Sequence, residues 1–121
     1  MIGDVLWEPG PDALTTTNIG RFMSWLEEHR GLRVQDYESL RAWSVTDVEG
    51  FWSAAWEFLG VRSLRDPADP PYDSVLSSHD MPGAAWFDGA RLNYADHALR
   101  WTGSEDAVVA WSQTRDVVTL D

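Results

Sequence analysis

The sequence predicts a mainly α fold with a short C-terminal β-hairpin (α+β), and three observations carry that expectation. Apolar residues recur at helical spacing over residues 19–26 and 48–59. Residues 107–120 switch to the period-2 or continuous apolar patterning of strands. Between these regions Pro67, Pro70, Pro71 and Pro82 exclude a long helix. A chain of 121 residues is the size of one domain with a modest core.

Met1 to Leu14 carries Pro9 and Pro11 without periodicity and is expected to be an extended arm anchored by Leu6 and Trp7. Thr15, Thr16, Thr17 and Asn18 offer N-cap side chains for a first helix. In it Ile19, Phe22, Met23 and Leu26 form one apolar stripe, and Gly31 ends it. A short helix from Asp36 to Trp43 places Tyr37, Leu40 and Trp43 on one side. The strongest helix is Ser44 to Gly60. Thr46 and Glu49 have capping-box spacing, and Ser44 and Asp47 offer a competing version. Val48, Phe51, Trp52, Ala55, Trp56 and Leu59 then make a wide apolar face, with Gly60 placed as the C′ residue.

From Arg62 to Gly89 the chain is expected to lie over a surface. It contains a short strand at Val75–Leu76 and an apolar run, Ala84 to Phe87, before a turn at Asp88–Gly89. Asn93 is placed to cap a helix from Tyr94 to about Trp101 with Ala95, Ala98 and Leu99 facing inward. Ala107–Trp111 and Val117–Leu120, around a polar turn through Gln113 to Asp116, make the hairpin. A two-stranded ribbon is marginal alone, so its sheet is expected to continue in further residues.

Nine basic against twenty acidic side chains give a net charge of -11 and a pI near 4.4, which argues against nucleic acid and anionic membrane surfaces. The absence of cysteine removes disulfides and thiolate metal sites. The first residues do not form a secretory signal, and no apolar run approaches the roughly 20 residues that cross a bilayer, so a cytoplasmic location is expected. All nine basic residues are arginine. Chemistry that needs a lysine, such as a P-loop, a Schiff base or lysine-assisted acyl transfer, cannot be completed within these residues. Eight tryptophans are several times the usual number, and both an outside interface and a filled core account for them.

The chemistry-bearing residues do not assemble a catalytic set. His29, His79 and His97 are far apart and are expected to be polar surface residues, not ligands. Ser77-Ser78-His79-Asp80 holds the residue types of a hydrolase triad, but neighbours in sequence cannot adopt its geometry with each other. Asp66, Asp69 and Asp73 lack the spacing and glycine of a calcium loop. Gly83 and Gly89 bracket Trp86 and Phe87, suiting close approach or positive φ. Arg91 suits a carboxylate, with a structural ion pair the simpler expectation.

The segment Met81-Pro82-Gly83-Ala84-Ala85-Trp86-Phe87-Asp88-Gly89-Ala90-Arg91-Leu92-Asn93-Tyr94-Ala95 closely resembles the MPGARWFPGARLNYAEN stretch near the start of acetoacetyl-CoA synthetases (acetoacetate–CoA ligases). Leu6-Trp7-Glu8-Pro9, Asn18 to Leu26 and Trp43 to Trp52 resemble that family's LWxP, SNLTRFMRWL and WSVEDLEGFW in order and spacing. The likeness runs from about Leu6 to Leu99. Ala85 stands where the family commonly has arginine, Asp88 where it has proline, and Asp96-His97 where it has Glu-Asn.

The resemblance implies a ligase of the adenylate-forming acyl-CoA synthetases, which activates a carboxylate with ATP and passes the acyl group to CoA in lipid metabolism. It implies an N-terminal cap over residues 1–103 and the first hairpin of a truncated adenylation domain over 104–121. ATP, Mg and CoA would bind the full-length enzyme outside this segment, which alone is expected to be inactive, with no catalytic, cofactor-binding or metal residue. Its implied partners are the adenylation domain of the same chain and, in a homo-oligomer, other subunits. Trp52, Trp56, Trp86, Phe87 and Arg91 are the expected structural or interface residues. Two alternatives stand beside this: an acetyl- or propionyl-CoA synthetase, and a stand-alone helical interaction module without catalysis.

Overall fold

A computed structural model describes Gly3 and residues 8–100, 103–104, 106, 108–114 and 118–120. The anchors Leu6 and Trp7, the helix end Trp101, strand residues Ala107 and Val117, and turn residues Arg115 and Asp116 lie outside the described residues. The chain divides into two compact units, Met1–Val61 with Val75–Trp86, and Arg62–Ser74 with Phe87–Asp121.

The first unit is built on α1 (Ala13–Thr16), α2 (Asn18–Arg30), α3 (Tyr37–Thr46) and α4 (Val48–Phe58). The single turn α1 replaces the end of the expected extended arm. The Thr15 and Thr16 hydroxyls donate to the Asp12 carbonyl and that of Thr17 to the Ala13 carbonyl, which tightens this turn. Thr17 is extended and caps α2, accepting from the Gly20 N–H at 3.1 Å. Gly20 is buried, and a Cβ there would meet the Leu14 carbonyl oxygen at 2.2 Å, so its missing side chain lets α1 lie against α2. Gly31, at φ +62°, ends α2.

Helix α4 starts later than expected, and its cap is Asp47 rather than Thr46. The Thr46 hydroxyl bonds back to the Ala42 and Trp43 carbonyls, which keeps it in α3. Asp47 leaves helical geometry, and its carboxylate accepts the Gly50 N–H at 3.0 Å and the Trp43 indole N–H at 3.2 Å. One residue therefore both separates the two helices and caps the second. At the other end Gly60, at φ +61°, sends its N–H to the Glu57 carbonyl, while Val61 reaches Trp56, the paired bonds of a Schellman motif.

The core lies where α2 faces α4. Phe22, Met23, Leu26, Leu40, Ala54 and Ala55 are buried, with Trp25, Trp43, Phe51 and Phe58 packed around them. Leu26 has no exposed surface at all. The buried apolar faces are narrower than the spacing suggests. Ile19, Tyr37, Trp52 and Leu59 are exposed, and Ala54 is buried in their place. Strands β1 (Ser74–Ser78) and β2 (Ala85–Asp88) pair as a two-stranded sheet that takes in the expected strand at Val75–Leu76. The six-residue connection over 79–84 permits only the antiparallel arrangement.

The second unit contains α5 (Tyr94–Ala98), β3 (Val108–Ala110) and β4 (Val118–Leu120). Asn93 caps α5 as expected, accepting from the Asp96 N–H. Ala95, Ala98 and Leu99 are exposed, not inward, because polar side chains attach this helix: Asp96 pairs with Arg62 at 3.1 Å and His97 accepts the Arg62 N–H at 2.9 Å. The hairpin is present, antiparallel, with Val108 opposite Leu120, Val109 opposite Thr119 and Ala110 opposite Val118. The architecture is thus mostly helical α+β. Among the described residues no helix is long and apolar enough to cross a membrane.

Leu26→Ala should lower unfolding free energy by about 2–5 kcal/mol, read from urea denaturation of the chain. At the start of α3, hydrogen bonding from the Ser39 side chain, and then from its backbone N–H, holds the Asp36 carboxyl below the ordinary aspartate value. A lowered folded value means that this cap stabilises α3 above the ordinary aspartate value and is lost as the pH falls through the shifted one. An NMR titration of Asp36 should show that depression, and Asp36→Asn should remove this part of the acid-side loss of helix signal.

Candidate functional site

The singled-out tryptophans belong to a run of touching aromatic rings in the first unit. Phe22 of α2 meets Phe58 and Phe51 of α4 at centroid distances of 5.0 and 5.9 Å. Phe51 meets Trp43 at 5.8 Å and Trp52 at 5.4 Å, and Trp52 meets Trp86 of β2 at 5.6 Å, nearly edge to face. Such geometry aligns ring quadrupoles and adds about 0.5–1.5 kcal/mol per pair beyond burial. The run leads from core to surface. Trp52 and Trp86 end it at 43% and 42% exposed, whereas Trp56, one turn further along α4, is buried. The structure therefore brings Trp52 and Trp86 together as a half-open apolar pair, with Phe51 packed on Trp52. An arrangement of this kind suits an apolar surface and supplies no nucleophile or base.

Phe87 and Arg91 belong to the second unit, in the segment that carries the resemblance. Phe87 packs on Tyr72 at 5.1 Å and has a positive φ of 49°. The Ala90 N–H returns to the Phe87 carbonyl, closing the expected turn, with Gly89 at φ +73°. A Cβ on Gly89 would sit 2.2 Å from Asp73 Oδ2 and 3.0 Å from an Arg65 guanidinium nitrogen. Asp73 is held there by its ion pair with Arg65 at 2.6 Å and by its own N–H, which donates to the Asp88 carbonyl at 2.7 Å. The glycine thus admits an ion pair against the turn. Arg91 contributes through its backbone, since its carbonyl accepts the Leu64 N–H at 2.6 Å. Its side chain is exposed, with no acidic group at ion-pair distance among the described residues.

The other flagged residues have local roles. Ser78 donates to the Asp80 carboxylate and accepts the Asp80 N–H. The Asp66 carboxylate accepts the Ala68 N–H. His29 stacks on Trp25 at 4.7 Å. Among the described residues no three His, Asp or Glu side chains are grouped to hold a metal ion. Sequence reasoning missed Arg65, Asp73 and Tyr72 as the supports of the turn. The glycine at 89 was the only signal, and it does not name its neighbours.

Comparison with known proteins follows the same segment. The profile of the family described as acetyl-coenzyme A synthetase N-terminus matches residues 37–98. The acetoacetyl-CoA synthetase of Macaca fascicularis is 36% identical over 79% of this chain and 14% of its own length. The malonamoyl-CoA synthetase of Penicillium aethiopicum is 33% identical over 79% of this chain and 13% of its own. The solved structure of acetoacetyl-CoA synthetase from Streptomyces lividans is 42% identical, with a TM-score of 0.67, over 78% of this chain and 14% of that one. The chain therefore spans only about 14% of the length of such relatives.

Gly89→Ala should cost about 1–2 kcal/mol for the left-handed backbone alone. Displacement of Asp73 from Arg65 should add to that cost. Thermal unfolding of Gly89→Ala in wild-type and Asp73→Ala backgrounds checks this, with the smaller penalty expected where the carboxylate is already gone.

Proposed function

The chain belongs to the acetyl-coenzyme A synthetase N-terminus family, and we propose from this that it is the amino-terminal structural segment of an adenylate-forming ligase acting on acetoacetate. The likeness to the Streptomyces lividans enzyme in both sequence and fold is the observation that carries the reading. The ligase would couple acetoacetate to ATP as an acyl-adenylate with release of pyrophosphate, then transfer the acyl group to the CoA thiol with release of AMP. ATP, Mg and CoA would bind outside these residues, which include no lysine and, where described, group no three metal-ligating side chains.

The contribution of this segment is packing. Residues 1–103 would form the cap and 104–121 the first hairpin of the adenylation domain. Trp52 and Trp86 would lie against that domain, while Trp56 fills the first unit and, in the second, Phe87 packs on Tyr72 and the Arg91 carbonyl holds the Leu64 backbone. A cytoplasmic location suits such an enzyme. The malonamoyl-CoA relative supports including a second short acid of the same skeleton among the substrates tested.

Intact mass of the native gene product and ATP–pyrophosphate exchange test this together. The expected result is a mass several times 13.7 kDa and exchange that is faster with acetoacetate than with malonamate, acetate or propionate. A native mass near 13.7 kDa rejects the ligase, and exchange led by acetate or propionate moves the activity to a different acyl-CoA synthetase.

A further inference from the structure

Helix α5 is tied to the stretch opposite it through one histidine nitrogen that faces two backbone groups at once. His97 Nε2 lies 2.9 Å from the Arg62 backbone nitrogen and 3.3 Å from the Arg62 carbonyl oxygen. A ring nitrogen carries either a lone pair or a hydrogen, so it can accept from the N–H or donate to the carbonyl, but not both. The shorter contact is with the N–H, and it requires an unprotonated Nε2. Protonation removes that lone pair and sets a ring N–H against the N–H of Arg62. The ion pair of Asp96 with the Arg62 side chain, at 3.1 Å, does not depend on the histidine proton. Both of its partners are substantially exposed, and pairs of that kind are weak and screened by salt.

We propose that His97 is a proton-operated clasp on Arg62: neutral, it holds the Arg62 N–H and fixes α5, and protonated, it releases that N–H and turns to the Arg62 carbonyl. The N–H contact is therefore made at higher pH and given up as the pH falls. The charged groups around the ring are Arg62, the only titratable residue of the facing stretch 62–64, with Asp96 beside it on α5 and Arg100 three residues on. Arginines keep their charge wherever histidine titrates. The sequence supports the clasp independently. Where this chain has His97, the motif of the resembling family has asparagine. An asparagine amide offers a carbonyl oxygen and an NH2 group together, so it can satisfy both backbone groups of Arg62 at any pH. The histidine replaces that pair of bonds with a single one that a proton controls.

The test is hydrogen exchange of the Arg62 amide in the full-length gene product, located by overlapping peptides and corrected for the intrinsic pH dependence of exchange. Between about pH 8 and about pH 5, the span that brackets histidine titration, protection at Arg62 should fall by roughly threefold to tenfold, the equivalent of one hydrogen bond. The Leu64 amide donates to the Arg91 carbonyl, an acceptor that does not titrate, and should keep its protection. His97→Asn should hold the Arg62 protection constant over the same span. Flat protection at Arg62 in the unaltered protein would overturn the proposal. A fall shared by Leu64 would overturn it as a general loosening of this unit. A fall that survives in His97→Asn would overturn it too, by moving the effect to Asp96.

Discussion

The contact of Phe22 with α4 is the constraint on which the first unit depends. Its ring touches Phe51 and Phe58 across the helix interface and Trp25 along its own helix, beside the fully buried Leu26. Burying an aromatic or leucine side chain stabilises by about 1.5–3 kcal/mol. The Arg30–Glu57 ion pair also ties α2 to α4, but both partners are substantially exposed and such a pair contributes about 0–1 kcal/mol. Apolar packing therefore sets how α4 is rotated. That rotation places Phe51 inward and, one residue later, Trp52 outward against Trp86.

The second unit follows a different principle. Its described contacts are mostly directional: Arg65 with Asp73, Asp73 with the Asp88 carbonyl, Leu64 with the Arg91 carbonyl, and Arg62 with Asp96 and His97. Hydrogen bonds fix position well but contribute only about 0.5–1.5 kcal/mol each. A unit held in this way keeps its shape by geometry while leaving its apolar side chains outside. The longest run of the family resemblance is Met81 to Ala95, and these bonds hold its part from Phe87 onward.

The helices were legible because their information is local. The stripe of Phe22, Met23 and Leu26, the αL glycines at 31 and 60, and the Asn93 cap each depend on residues a turn apart. What was not legible required knowing the neighbour. Thr46 and Asp47 are both N-cap residue types, and what separates them is that the Thr46 hydroxyl bonds back to the Ala42 and Trp43 carbonyls. Ile19 continues a perfect stripe, yet it is 48% exposed. In α5 the periodicity identified the apolar side correctly but not its direction, which a single arginine 35 residues away from His97 decides. Of the candidate site, the tryptophans were visible from their number. The pairing of Trp52 with Trp86 across 34 residues, an edge-to-face contact, was not.

Gly20 ties two parts of the sequence into one unit of variation. With α1 where it is, any β-carbon at position 20 would collide with the backbone of Leu14, and a backbone atom cannot swing aside as a side-chain tip can. Position 20 and the turn over 13–16 can therefore drift only in step. A descendant of this chain with a larger residue at 20 must already have moved or unwound α1. The state of that turn in any close relative can thus be inferred from a single letter several residues downstream.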